Sequence, residues 1–290
     1  MALSPRQEFT RGFARDRIAL AAFWVLCLLL LAAIAAPLIT PQNPYDLAQL
    51  DILDSKLAPG AKSAAGYTYW LGSDDQGRDM VSAILYGLRI SLSVGVASTL
   101  AALGIGLVIG LIAARAGGWL DALIMRIVDL QLSFPSILVA LILLALAGQG
   151  VDKIIIALIV VQWAYYARTV RGTALVELRK EYVDAAVCAG YGSARILLRH
   201  VLPNVMPPLI VVATVQVAHA IALEATLSFL GLGMPITSPS LGLLIANGYV
   251  HLLSGKYWIS FFPGIALLLI IVAINLVGDQ SRDVLNPRLK

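Results

Sequence analysis

The sequence predicts an all-α membrane protein with six transmembrane helices. Three observations carry that fold class. Of the 290 residues, 59% are hydrophobic and only 13% charged, and mean hydropathy is +0.85, a composition foreign to soluble globular domains. Several uncharged runs reach the roughly 20 residues that cross a hydrocarbon core of about 30 Å. Lys and Arg are also unevenly placed: fifteen of the 21 fall on one side of a six-span threading. The positive-inside rule puts that side, with both termini, in the cytoplasm. The net charge of +4 is thereby explained by topology and calls for no nucleic-acid partner.

The elements follow in order. Residues 1–18 form a short amphipathic lead with Arg6, Arg11, Arg15 and Arg17. Ala19 to Ile39 is free of charge and longer than the 7–15 residues of a signal h-region, so it reads as an uncleaved first span. Residues 40–88 are polar, with prolines at 41, 44 and 59. Toward their end Ser73 or Asp74 suits the N-cap of a short helix at the membrane surface, with acidic residues in its first turn. Asp74, Asp75, Arg78 and Asp79 are better read as capping and salt bridging than as a metal or catalytic cluster, and Gly77 argues for a later helix start. The second span is Ile90 to Ala114, where Gly106 and Gly110 give a small-xxx-small pair suited to close helix approach, within the chain or with a partner.

The third span runs from about Asp121 to Ala147, kinked at Pro135. Asp129 is expected to pair with Arg126 on the same helix face. The fourth runs from Ile154 to about Tyr166 and continues to Arg171, with Trp163, Tyr165, Tyr166, Arg168 and Arg171 read as an interfacial belt. The fifth spans about Val205 to Phe229 and holds Gln216, His219 and Glu224. At about 100° per residue, Gln216 and Glu224 lie some 80° apart and form a candidate pathway wall, while His219 faces elsewhere. Ionisable groups in a span are functional candidates, because lipid exposure is costly. The sixth span is Trp258 to Val277.

Between the fourth and fifth spans lies a polar island, Glu181 to Asn204. Its Ala and Leu favour helix on either side of Gly190 and Gly192, which predicts two short helices with a bend at the glycines, and Pro203 opens the next element. Cys27 and Cys188 are too far apart in kind to predict a disulfide. The sequence has no Gly-x-x-x-x-Gly-Lys-Ser/Thr phosphate loop and no recognisable nucleophile–base pair, so it is not expected to be an enzyme.

The island resembles the Glu-Ala-Ala loop of ABC importer permeases: Asp184, Ala185, Ala186, Gly190, Leu202 and Pro203 fall on that spacing, with Asp184 for Glu and His200 for Ile. A second block, Leu71, Gly72, Asp74, Gly77, Arg78, Asp79, Ser82, Tyr86, Gly87, Arg89, Ser91 and Leu92, resembles the signature of the C-type permease of dipeptide, oligopeptide and nickel importers, with Ser73 for Thr. Ser228 to Gly233 and the tail Asn275 to Arg288 resemble the same family, the tail departing at Ser281 and Asn286, and the loop segment Pro239 to Gly242 has Leu241 where the family usually has Trp. The resemblance implies a type I ABC importer permease fold in the bacterial inner membrane. Residues 1–89 would form the lead, first span and outer loop, and residues 90–290 a five-helix core with the coupling loop 177–204. It further implies a homologous B-type permease, two ATP-binding subunits and an extracytoplasmic substrate-binding protein as partners. No cofactor would bind this chain, and ATP with Mg would sit on the ATPase subunits. The competing class is an ion-coupled secondary transporter or channel using Glu224 and Asp129.

Overall fold

The computed structural model describes residues 5–64 and 66–285. The tail residues Asn286 to Arg288 and Lys290, and the Arg6 side chain, lie outside the described residues. The lead is a helix, α1 (Pro5–Arg15). Asp16 then caps α2 (Arg17–Ile39), its Oδ1 accepting from the Ile18 and Ala19 amides at 2.8 and 3.1 Å. α2 lays Ala19, Ala22, Ala33 and Ala36 against α11 (Trp258–Leu285) and α3 (Met80–Ala116). Small side chains let it approach closely, while its large apolar residues face outward, as expected beside lipid.

Residues 40–79 fold into a cap of two 3₁₀ turns and a hairpin of β1 (Ala61–Lys62) with β2 (Thr68–Tyr69). No short surface helix forms at Ser73. Instead residues 73–79 make a turn closed by a Ser73–Asp79 bridge. Asp79 caps α3, its Oδ2 accepting from the Ser82 amide at 2.7 Å and the Ser82 hydroxyl at 2.6 Å. The surface helix and second span of the sequence reading are therefore one rod of 37 residues, about 55 Å long at the helical rise. The reason is local: Gly77 sits at φ +76°, a conformation that α-helix excludes, and helix starts once the chain has passed it.

α3 packs along α6 (Val151–Glu177) more extensively than any other pair. The Gly106–Gly110 seam is an intrachain one: a β-carbon at either position would run into α6 at Tyr166, Ala167 or Val170. The third span departs furthest from expectation. α4 (Gly118–Ser133) and α5 (Ser136–Ala147) meet at 88°, a break rather than a kink. Pro135 forces Phe134 into extended backbone, φ −89° and ψ 139°, because the proline ring crowds an α-helical predecessor. Among the described residues five helices are long and apolar enough to span a membrane, and six spans result if the bent pair counts as one.

Asp129 pairs with Arg168 of α6 rather than with Arg126, and Asp121 forms a two-pronged pair with Arg171 at 2.7 and 2.5 Å. Of the expected aromatic belt, Tyr165 is exposed and Trp163 half-buried, but Tyr166 departs from it. Tyr166 is completely buried against α3, and both arginines clamp α4 to α6. Beyond α6 come α7 (Glu181–Cys188), α8 (Ser193–Ile196), a π-helical turn at Leu197–Val201 and α9 (Leu202–Phe229). From Ser193 to Phe229 these form one continuous 37-residue rod. α10 (Leu241–Tyr249), capped by Ser240, packs on α9 and α11. α1 closes on the end of α11, where Gln280 donates to the Gly12 carbonyl at 3.1 Å.

Candidate functional site

The polar island folds as an elbow. α7 buries Val183 and Ala186 in an apolar cluster that also holds Ala174 of α6, Ile196 of α8 and Val205 of α9, and leaves Asp184, Ala185, Val187, Cys188 and Ala189 exposed. Its end is fixed by backbone geometry: Gly190 takes φ +76°, the Gly190 amide donates to the Val187 carbonyl at 2.9 Å and the Tyr191 amide to Ala186 at 3.1 Å. This pair of reversed bonds is the Schellman ending, which favours glycine at the left-handed position. Tyr191 then stacks on His200 at 5.9 Å, with the Arg195 guanidinium over its ring.

The return helix meets a proline problem. Pro203 has no amide to donate, and a proline ring crowds the carbonyl four residues back. The π turn immediately before it widens the helix, with the Leu202 amide reaching back to Leu197. Leu202 is half-buried and Pro203 exposed.

The elbow is wired to the spans through one hydroxyl. Tyr182 donates to Glu177 Oε2 at 2.7 Å, and Asn204 Nδ2 reaches the Tyr182 oxygen at 3.3 Å and the His200 carbonyl at 2.7 Å. Lys180 holds the other Glu177 oxygen at 2.6 Å. Burial, then the adjacent Glu177 carboxylate, pushes the Tyr182 hydroxyl up to about 12, so it stays a donor across the physiological range. Tyr182 joins the last turn of α6 to the first turn of α9; no short sequence signal marks it for that part.

A cavity of about 770 Å³ opens beside this network, walled by α6, α9 and the end of α11. Glu177, Lys180, Asn204 and Arg282 stand at its polar end. Pro207, Pro208, Val211, Val212 and Val215 form an apolar wall, and Tyr165, Thr169 and Gln216 complete the lining. Gln216 thus lies on the cavity. Glu224 does not: it is fully enclosed, accepting from Ser91 of α3 at 2.9 Å and from Ser228 at 2.7 Å. His219 is exposed on another face. Asp129 and Glu224 share no partner and belong to different helix contacts, so they do not form a pair.

On the far side of the molecule the cap brings Asp74, Gly77, Arg78 and Asp79 into one buried knot. Arg78 is fully buried; its Nε donates to the Pro44 carbonyl at 3.0 Å and one Nη to the Ile236 carbonyl at 2.7 Å, and it stands 3.5 Å from Asp74 Oδ2. Asp74 Oδ1 accepts from the Gln76 and Arg78 amides at 2.8 and 2.9 Å. A β-carbon at Gly77 would strike the Asp51 carbonyl. Burial pushes the Asp74 carboxyl up to about 6, against the pull of Arg78, and Asp79 upward as well.

Comparison with known proteins agrees along the chain. Residues 106–290 match the family described as the binding-protein-dependent transport system inner membrane component. Residues 4–59 match the N-terminal transmembrane domain of oligopeptide transport permease C. The di/tripeptide transport system permease protein DppC of Pseudomonas aeruginosa is 36% identical over 99% of this chain and 93% of its own length. The dipeptide permease DppC of Bacillus subtilis is 36% identical over 99% and 87%. The glutathione transport system permease GsiD of Pectobacterium atrosepticum is 36% identical over 99% and 92%. Among solved structures, an inward-facing form of the MetNI methionine ABC transporter superposes with a TM-score of 0.57, covering 70% of this chain and 96% of that one at 22% identity. That likeness shows the type I importer permease fold. The chain belongs to the family of inner-membrane components of binding-protein-dependent transport systems.

Proposed function

We propose that this family member is the C-type permease subunit of an ATP-driven importer for dipeptides, oligopeptides or closely related small solutes. The chain pairs with a homologous B-type permease, two ATPase subunits that hold ATP and Mg²⁺, and a soluble binding protein outside. The elbow, with both termini, faces the cytoplasm. The observation that carries this reading is the elbow surface: a rigidly ended helix that turns Asp184, Ala185 and Cys188 outward while anchoring Ala186 inward. Small exposed residues around Gly190 suit insertion into a cleft on an ATPase. Relatives named for di- and tripeptide transport support the choice of cargo.

In this reading, ATP-driven closure of the ATPase pair displaces α7. Tyr182 carries the displacement to Glu177 and Asn204, and so to the two helices that wall the cavity. The drive is differential: ATP must favour one helix arrangement over the other, and hydrolysis resets it.

The test is co-purification with the ATPase and sister permease, comparing wild type with Gly190→Asp. A β-carbon at Gly190 meets open space in this chain, but an Asp there is held at φ +76°, a conformation that disfavours it; the substitution therefore acts on the elbow, by strain at the end of α7 and by obstructing a close-fitting partner, and touches none of the spans. Loss of the ATPase with retention of the sister permease is expected. Failure of the wild-type chain to bind an ATPase in any combination would sink the reading.

A further inference from the structure

The lead carries charge that no described residue answers. Arg11 and Arg15 stand one turn apart on one face of α1, and Arg17 follows as the first residue of α2. All three are exposed, and none forms an ion pair with another described residue. The Asp16 carboxylate is engaged as the cap of α2. Asp279 and Asp283, on the last turns of α11, are exposed and pair with none of the three arginines. The other side of α1 is docked. Phe13, about 200° around the helix from Arg11, meets Phe23 of α2 edge-on with ring centroids 6.1 Å apart. Phe23 lies about 9 Å beyond Arg17 at the helical rise, so α1 is folded against the first turns of the span. Gly12 packs on α11, where a β-carbon would come within 3.0 Å of Val284, and its carbonyl accepts from Gln280 at 3.1 Å. The same turns of α11 put Arg282 and Leu285 on the cavity lining.

We propose that α1 is an interfacial helix whose Arg11, Arg15 and Arg17 bind the phosphate groups of anionic phospholipids, holding the end of α11 at the bilayer surface. It depends on α2 crossing the membrane and is independent of the cargo. A helix with aromatic residues on one face and arginines on the other is the form that lies in a membrane interface. α1 has Phe13 on one side and Arg11 and Arg15 on the other, at the point where the span begins. The surface it adjoins fits lipid. Ile18, Trp24, Leu28, Leu31 and Ile34 of α2 are all exposed, and large apolar side chains facing outward on a span belong beside acyl chains. The arginines stand at the mouth of that surface, level with the headgroups. A guanidinium offers a planar fork of donors that matches phosphate oxygens, and an anionic headgroup brings the net charge that a zwitterionic one lacks. An acidic face of a partner protein is the competing occupant, and experiment separates the two.

Trp24, whose ring meets that of Phe23 at 5.7 Å, reports on lipid at this place. The full chain with its partner subunits is reconstituted in mixtures of phosphatidylcholine and phosphatidylglycerol, one or the other brominated in its acyl chains. Quenching of Trp24 is read as the difference between the wild-type chain and Trp24→Phe. Wild type is expected to favour phosphatidylglycerol over phosphatidylcholine by about fivefold or more, since each arginine near an anionic surface contributes about fivefold. Replacing all three arginines, Arg11→Gln, Arg15→Gln and Arg17→Gln, is expected to bring the ratio to one. Equal quenching by the two lipids in wild type overturns the inference, as does a preference that survives the triple substitution. Should the triple variant fail to fold, the wild-type preference is measured at molar salt, where charge is screened within about 3 Å; its collapse supports the contact and its persistence overturns it. Absence of a lipid preference in wild type, with loss of the ATPase from the triple variant, overturns the inference in favour of a protein partner.

Discussion

The cap and the elbow stand at opposite ends of the spans and are built on opposite terms. In the cap, many polar groups are buried and bonded to one another, although the Ser63 hydroxyl and one Asp75 carboxylate oxygen are buried without a hydrogen-bond partner. Arg78 ties Pro44 to Ile236, Gln42 accepts from the Asp79 amide at 2.7 Å, the Tyr69 hydroxyl meets Asp54 at 3.0 Å, and the Trp258 indole donates to the Ser73 carbonyl at 3.1 Å. The elbow keeps its polar groups at the surface. Asp184, Arg195 and Arg199 are exposed, and a few bonds around Tyr182 hold its base. A region held together by buried bonds across its own segments depends on them for stability; one that leaves small and charged residues in the open is shaped for another chain. Mutations should therefore destabilise at the cap and uncouple at the elbow.

The largest effect is expected from Arg78→Met. It leaves Asp74 buried without its counter-charge and cuts the link between the cap and the 230–240 loop, a loss of about 3–5 kcal/mol for a broken buried pair. Thermal unfolding in detergent and proteolysis of residues 40–79 would register it. A wild-type melting point would break the contrast between the two regions.

Next comes pH. The Asp74 carboxyl has its folded pKa raised to about 6 from an ordinary value of 3.8. The folded state therefore binds the proton more tightly than the unfolded chain does. Its stabilising contribution is full below about pH 4 and is lost as pH rises through about 6, in line with linkage. Asp74→Asn should flatten cap stability across that window, as followed by Trp fluorescence. A stability that instead rises between pH 4 and 6 would show that Arg78 dominates the burial cost.

Tyr182→Phe should act on coupling. Removing one hydroxyl that serves Glu177 and Asn204 costs about 0.5–1.5 kcal/mol. The ATPase should remain bound, while transport per ATP falls severalfold. Equal losses of docking and transport would place Tyr182 in the interface rather than in the linkage. The smallest stability effect belongs to Arg195→Ala, whose exposed contact over Tyr191 is worth about 0.5 kcal/mol. Its melting point should be unchanged, and any effect should appear only in ATPase affinity.

Much of this was legible along the chain because the causes are local. An uncharged run of the right length spans a bilayer whatever surrounds it. Gly190 ends α7 through its own left-handed conformation and two bonds within five residues, and Gly106 and Gly110 announce close helix approach by being small. The spacing of Asp184, Ala186, Gly190 and Pro203 placed the elbow before any fold was available, and the same reading put Gln216 on a candidate pathway wall.

What tertiary structure alone decided are the contacts between distant residues. Arg78 reaches Ile236 and Ser91 reaches Glu224, partners that no periodicity relates. Helical phase puts Gln216 and Glu224 within a quarter turn of each other, yet α3 covers Glu224 and leaves Gln216 on the cavity. Pro135 signals a kink, but neither the 88° size of the break nor the pairing of Asp129 and Asp121 on α4 with Arg168 and Arg171 of α6 can be read from the local sequence. Tyr166 looks interfacial in sequence and is buried because Gly106 makes room for it. Sequence fixes which face a residue occupies on its own helix; the packing of the other helices determines whether that face meets protein, lipid or an open cavity.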